Sequence, residues 1–395
     1  MFIKRDLSKV LIKYASKFPV IALMGPRQSG KTTLAKAVFT KHAYVLLENP
    51  DEKEFATSDP RGFLNARRNE HGLILDEIQE APHLLSYIQG IVDEENSAGS
   101  FIVTGSQNFM FHQAITQTLA GRVAMLTLLP LSIHELKNSN FLPTSAEEII
   151  LKGGYPRIYS QNFIPEEWYP SYIKNYVERD VRQIITIGNL TTFQHFVRLC
   201  AGRIGQILNL SSLGNDVGIS HVTARSWLSL LEASYIVFLL EPHYKNFSRR
   251  LIKSPKIYFY DTGLACSLLK INSIENVIDH YLRGGLFENL AISELMKTYY
   301  NTAKEPHIYF WRDSQGHEID CLLEEGNKLV PIEIKSGHTI TSDYFTGTSY
   351  WSNLAETDQR NNFIIYAGDE TQKRAQGTVV SWHDIANVIA FEKKT

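Results

Sequence analysis

One segment restricts this chain more than any other. Gly25, Pro26, Arg27, Gln28, Ser29, Gly30, Lys31, Thr32 and Thr33 follow the short apolar run Val20 to Met24 and lead into Leu34-Ala35-Lys36-Ala37-Val38-Phe39. The first run reads as a buried strand and the last as a helix, so G-x-x-x-x-G-K-T lies between a strand and a helix. Glycines in such a loop let backbone N–H groups turn toward phosphates, and the helix start favours negative charge. Lys31 is placed to reach the β- and γ-phosphates of ATP and Thr32 to hold Mg²⁺, and all nine residues are candidate cofactor contacts.

Further strands supply the rest of a nucleotide site. Gly72-Leu-Ile-Leu-Asp76-Glu77 reads as a buried parallel strand ending in two carboxylates. Buried charge at a strand's carboxyl end calls for a cation, so Asp76 is expected to serve Mg²⁺ and Glu77 to polarise the attacking water. That water-activating pair disfavours a small-molecule kinase. Phe101 to Gly105 leads to Ser106, Gln107 and Asn108, where a polar side chain can meet the γ-phosphate. Arg122 precedes the run Val123 to Leu129, either as an arginine finger toward a neighbouring subunit or as a surface residue. With Ala43 to Leu47, these segments make five strands alternating with helices, the pattern of a doubly wound parallel α/β sheet.

The 395 residues are too many for one such sheet, and 44% hydrophobic content excludes a disordered chain. Three cysteines, Cys200, Cys266 and Cys321, lack metal-ligand spacing and read as reduced, buried side chains of a cytoplasmic protein. No apolar run approaches the ~18 residues of a membrane span, and charges interrupt the basic amino terminus, unlike a signal peptide. The net charge of -2 hides a gradient: +1 over residues 1–140, +4 over 141–270 and -7 over the remainder. A polyanion would meet the middle section and a cation the last.

In the middle section, Ser145-Ala-Glu-Glu148 reads as a capping box, and Gly153-Gly154-Tyr155-Pro156 as a helix break. The pattern Trp168 to Ile187, with Tyr172, Tyr176, Val177, Val181 and Ile184, reads as a helix whose aromatic stripe is core. Residues 191–275 have a winged-helix layout. It comprises helices over Phe196 to Leu208 and Leu210 to Val217, a turn at Gly218, a third helix capped by Ser220, and strands Tyr235 to Leu240 and Lys256 to Tyr260. His221, Thr223 and Arg225 on the third helix, with Lys245, Arg249, Arg250 and Lys253 between the strands, are candidate DNA contacts. The same layout also serves as a packing module.

In the acidic tail, Gly326-Asn327 between two apolar runs signals a two-residue hairpin. Glu325 then opposes Lys328, Asp320 opposes Glu333, and Glu318 opposes Lys335. Opposed carboxylates about 5 Å apart repel unless a cation separates them. Mg²⁺ held by Asp320 and Glu333, with Lys335 orienting a water against a phosphodiester, would resolve the repulsion and make all three catalytic. Gln372 and Lys373 are expected on a later helix near this site.

The motifs Gly25 to Thr32, Leu75-Asp76-Glu77, Thr104-Gly105-Ser106, Leu119-Ala-Gly-Arg122, Gly153-Gly-Tyr-Pro156 and Tyr176-Val-Glu-Arg-Asp-Val181 carry a resemblance over nearly the whole chain. It resembles the AAA+ branch of P-loop ATPases, and more closely the bacterial and archaeal predicted ATPases that end in a nuclease-like domain. The D-x(n)-E-x-K hairpin is similar to that of the restriction-endonuclease-like PD-(D/E)XK nucleases, in which Glu288 matches a further acidic metal ligand. The resemblance implies ATP hydrolysis and a homo-oligomer, with a hexameric ring among its forms. The expected organisation is an AAA+ domain over residues 1–140, a helical lid or connector over 141–190, a winged helix over 191–275 and a nuclease-like α/β domain over 276–395. The expected function is an ATP-hydrolysing protein acting on DNA, with a Mg²⁺-dependent nuclease-like tail that is either active or inactive. The alternative is a nucleotide-dependent switch or scaffold that binds protein partners through an inactive tail.

Overall fold

The computed structural model describes residues 3–95, 97–106, 115–177, 190–243 and 253–391; the side chains of residues 106, 176, 177, 390 and 391 lie outside the description. The chain divides into two compact units. The first comprises Met1–Leu131 with the short segments Ala233–Tyr235 and Tyr300–Lys304, and the second Ser132–Glu232, Ile236–Tyr299 and Glu305–Thr395.

The first unit is built on five strands: β1 (Val20–Gly25), β2 (Ala43–Leu46), β3 (Leu73–Asp76), β4 (Phe101–Ser106) and β5 (Val123–Thr127). They lie in the order β2-β3-β4-β1-β5, and every pairing is parallel. Because side chains alternate along a strand, Val20, Ala22 and Met24 of β1 join one core cluster with Leu75 and Val103. Ile21 and Leu23 join the opposite cluster with Ile74 and Ile102. Covering both faces explains why these strands are unbroken apolar runs. Each fully buried Leu or Ile contributes about 1.5–3 kcal/mol. Central β1 ends at the glycine-rich loop, and β3 ends at Asp76 on the same carboxyl edge of the sheet, where open α/β sheets gather ligand groups.

In the second unit, Ser132 and Glu135 form a complete capping box for the helix Ile133–Asn138. At the expected box, Ser145 caps Ala146–Lys152 through the Glu148 N–H, but the Glu148 carboxylate turns to Thr144 and Lys152 instead of reaching back to Ser145. Tyr155, Trp168, Tyr169 and Tyr172 form a buried aromatic cluster, with Trp168 and Tyr172 stacked at a centroid distance of 4.9 Å. The stripe is thus core as far as Tyr172; the side chains of Tyr176, Val177, Val181 and Ile184 lie outside the described residues. Three helices follow at Leu190–Ala201, Leu210–Val217 and His221–Ala233, then an antiparallel pair β6 (Val237–Leu240) and β7 (Lys256–Phe259). The first helix ends earlier than expected because Gly205 takes a positive φ of 73° and donates to the Ile257 carbonyl, turning residues 202–208 alongside β7. Gly218, at φ 78°, ends the second helix, and Ser220 accepts the Thr223 N–H at the start of the third.

The tail contains strands β8 (Ile308–Arg312), β9 (Glu318–Glu325), β10 (Lys328–Lys335), β11 (Phe363–Tyr366), β12 (Gln372–Arg374) and β13 (Gly377–Ser381), in a mixed sheet of order β12-β13-β11-β10-β9-β8. The hairpin register pairs Glu325 with Lys328 and runs to Cys321 opposite Ile332. It stops there, because Asp320 Oδ2 accepts the Ile334 N–H at 2.8 Å instead of the strand's own backbone continuing the ladder. Gln372 and Lys373 lie on the edge strand β12, paired with β13, and not on a helix. Cys200, Cys266 and Cys321 are free and buried, and burial raises each thiol's pKa. No helix among the described residues is long and apolar enough to cross a membrane.

Candidate functional site

The loop after β1 is tightly packed. A Cβ on Gly25 would come within 2.2 Å of the Leu128 carbonyl oxygen, so only glycine fits there at φ 143°. Gln28 and Gly30 also take positive φ, which turns successive backbone amides in one direction. Lys31 is 5% exposed, and its ammonium is held by the carbonyls of Gly25 and Pro26 at 3.0 and 2.8 Å. The Ser29 hydroxyl is buried without a hydrogen-bond partner, and Arg27 faces Glu48 at 3.6 Å. Pro26 is buried and Thr33 is exposed on the first helical turn.

Asp76 is the hub of the site. It accepts from the Thr32 hydroxyl at 2.8 Å, from Tyr44 at 2.8 Å and from Thr104. Burial, then the neighbouring Asp76, pushes the Tyr44 phenol well above its ordinary range, so Tyr44 stays a donor. Glu77 sits in the left-handed region at φ 56°, turned off the strand line, and accepts from Gln79. A non-glycine residue held in that conformation stores strain of the kind found at functional positions. Ser106 ends β4 on this edge, its side chain outside the description along with Gln107 and Asn108. Arg122 is held by Asp93 of its own chain, through Nε and Nη2, and donates to the Ala120 carbonyl.

Arg5 was missed by the sequence reading. It is 4% exposed and bonds the Ser29 carbonyl at 2.7 Å and the Leu129 carbonyl at 2.6 Å, bracing the loop from beneath. No local signal separates it from the other basic residues of the amino terminus. Tyr44 was also missed, and Thr104 stood out only within the Thr104-Gly105-Ser106 motif, although each lies on a strand ending beside Asp76 and donates to it.

The tail gathers a second cluster. Asp320, Glu333 and Lys335 come together on the hairpin, with Lys335 Nζ 2.6 Å from Glu333 Oε1. Glu333 Oε2 is buried and unpartnered. Burial, then repulsion from Asp320, raises the Glu333 carboxyl to about 8. Glu288 is also raised, to about 7, by burial and then Asp320. The paired register ends before Glu318 and Lys335, and Glu318 is ion-paired with Lys256 at 2.5 Å and Arg312 at 3.0 Å. Glu288 turns to Lys256 at 3.0 Å and to the Tyr258 hydroxyl at 2.5 Å. Among the described residues, no three His, Cys, Asp or Glu side chains are gathered as a metal-ligand set. Of the carboxylates expected to hold a metal, Glu288 meets Lys256 and Tyr258, Asp320 accepts the Ile334 N–H, and Glu333 meets Lys335 through Oε1 only.

Lys256 opens β7, as the sequence pattern predicts, and its ammonium turns to the tail carboxylates. Strand alternation contained the missed signal, since Lys256 and Tyr258 share a face of β7.

A third feature is a groove of about 620 Å³ lined by His221, Arg225, Ser229, Glu232, Lys253 and neighbouring residues. It brings three of the candidate DNA contacts to one concavity. Thr223 is instead tied to Ser220, and Lys245, Arg249 and Arg250 lie outside the described residues.

The strand order, the loop after β1 and the carboxylate ending β3 match a P-loop α/β fold of the AAA type. Residues 17–137 match the family model described as "AAA domain". Residues 144–275 and 283–385 match two models described as "Domain of unknown function", DUF8612 and DUF4143. The chain is 29% identical over 371 residues to "Uncharacterized protein Rv2008c" of Mycobacterium tuberculosis, covering 93% of this chain and 80% of the relative. The same figures hold for "Uncharacterized protein Mb2031c" of Mycobacterium bovis. Among solved structures, it is similar to "The walker-type atpase paby2304 of pyrococcus abyssi", at 16% identity and a TM-score of 0.45, over 68% of this chain and 96% of that one.

Proposed function

We propose that the protein hydrolyses ATP and uses the reaction to act on DNA as a homo-oligomer. The observation that carries this reading is the meeting of Lys31, Thr32 and Asp76 at one edge of the parallel sheet, with Glu77 turned off the strand beside them. The orphaned Ser29 hydroxyl and the all-oxygen pair Thr32 and Asp76 suit a hard cation and phosphate. Thr32 and Asp76 would hold the Mg²⁺, which supplies charge neutralisation on the phosphates. Lys31 binds phosphate once it exchanges the loop carbonyls for it, and Glu77 accepts a proton from water. Support for DNA comes from His221, Arg225 and Lys253 around one groove in the basic section of the chain.

ATP turnover measured against single-stranded, duplex and branched DNA tests this reading. Turnover should rise with DNA and fall back as salt increases. Turnover indifferent to every DNA form would leave the second reading, a nucleotide-dependent switch that binds protein partners. That reading draws support from the internal neutralisation of the tail carboxylates.

A further inference from the structure

The tail cluster raises a question of charge. Glu288, Glu318, Asp320 and Glu333 come from one helix and two strands of a single sheet, and four carboxylates so enclosed need positive charge close by. Lys335 reaches Glu333, and Arg312 reaches Glu318 from the exposed side. The remaining charge arrives from outside the tail sheet. Lys256, the first residue of β7, extends an ammonium that touches Glu288 at 3.0 Å and Glu318 at 2.5 Å, with its side chain 3% exposed.

We propose that Lys256 is the resident cation of this cluster, occupying by charge the role a divalent metal has in an open carboxylate site and excluding one from it. Three features support the assignment. Lys256 bridges two carboxylates that belong to different elements, which is the work of a metal ion. Glu288 is sealed on the Lys256 side, with Tyr258 donating to it and Gly205 so close that an added Cβ would lie 3.2 Å from Oε2. The β7 backbone is pinned as well: Asn289, next to Glu288 on the same helix, accepts the Phe259 N–H and donates to the Phe259 carbonyl. The ammonium is therefore held at both its own strand and its target helix. A buried pair of this kind is costly to leave half-made, so Lys256 is not readily displaced by a hydrated ion. The inference is independent of the ATPase and DNA readings, because it uses none of the P-loop residues and none of the groove residues His221, Arg225 and Lys253.

Mn²⁺ binding to the full chain, followed by the electron paramagnetic resonance signal of free Mn²⁺ without nucleotide, tests it in an Asp76→Asn background that removes the P-loop oxygen site. That protein should bind no stoichiometric Mn²⁺. Adding Lys256→Ala should create one site per chain, Lys256→Arg should create none, and Glu333→Gln should abolish the new one. A stoichiometric site in the Asp76→Asn protein that is lost with Glu333→Gln overturns the proposal. A folded Lys256→Ala protein that binds no Mn²⁺ also overturns it. If Lys256→Ala fails to fold, the titration of the Asp76→Asn protein with and without Glu333→Gln still decides.

Discussion

Thr32 Oγ1 donates to Asp76 Oδ2 at 2.8 Å, joining the first turn of the helix Lys31–Val38 to the end of a strand 44 residues away in sequence. This bond places two oxygen groups beside the loop. Asp76→Asn should keep nucleotide binding but reduce hydrolysis by about 100-fold, the scale lost when one preorganised electrostatic group is removed. Lys31→Ala should lose binding itself. Fluorescent-nucleotide titration and phosphate release separate the two outcomes.

Arg122 and Asp93 make a bidentate pair on an exposed helix and strand start, and the guanidinium holds the Asp93 carboxyl below its ordinary range. If Arg122 leaves Asp93 to reach a neighbouring subunit's nucleotide, Arg122→Ala should retain ATP affinity and lose about 1,000-fold in turnover. Mixing it with Lys31→Ala protein should then partly restore activity. Equal turnover in Arg122→Ala and the wild type would assign the residue to the surface pair alone.

The groove beside His221–Ala233 predicts a change in salt dependence. Lys253→Gln and Arg225→Gln should each weaken DNA binding and lower the slope of log affinity against log salt by about 1, if each neutralises one phosphate. Fluorescence anisotropy at several salt concentrations reads both. An unchanged slope would place these residues away from the nucleic acid.

Stability should fall as pH rises through the neutral range. Glu333 is lifted from 4.5 to about 8 and Glu288 toward 7, chiefly by burial. Between the ordinary and the raised values the folded chain holds more protons than the unfolded one, so their contribution is fully present below pH 4.5 and lost by about pH 8. Glu333→Gln should flatten this part of the profile, measured by urea midpoints at stepped pH.

Asp261 is 2% exposed and accepts from Gly154 N at 2.7 Å, Leu264 N at 2.9 Å and the Tyr169 hydroxyl at 2.6 Å. Asp261→Ala should cost about 3 kcal/mol or more by stranding buried donors. Gly153→Ala should be comparably damaging, since its Cβ would meet the Tyr169 hydroxyl at 2.2 Å at a φ of 63°. Chemical unfolding measures both.

Local pattern made much of this protein readable. The spacing of Gly25, Gly30, Lys31 and Thr32 fixes a loop between a strand and a helix because backbone freedom and phosphate geometry depend on near neighbours. The runs ending at Asp76 and Ser106 read as buried strands because both faces of the sheet are covered. Gly326-Asn327 set the hairpin register because a two-residue turn leaves one way to pair the flanking strands.

What sequence did not decide was where long charged side chains end up. Lys256 opens a strand directly after a basic run, and nothing local names its partner; the pairing of β7 with β6 and the Asn289 bonds to Phe259 carry it to Glu288 and Glu318. Arg5 likewise leaves a basic amino terminus for two buried carbonyls beside the loop. A flexible side chain's partner depends on elements brought together from distant parts of the chain, and charge interactions at that range have no period in the sequence. The sequence by itself determined the loop, the strands and the hairpin; only the tertiary structure decided that the tail carboxylates meet an ammonium.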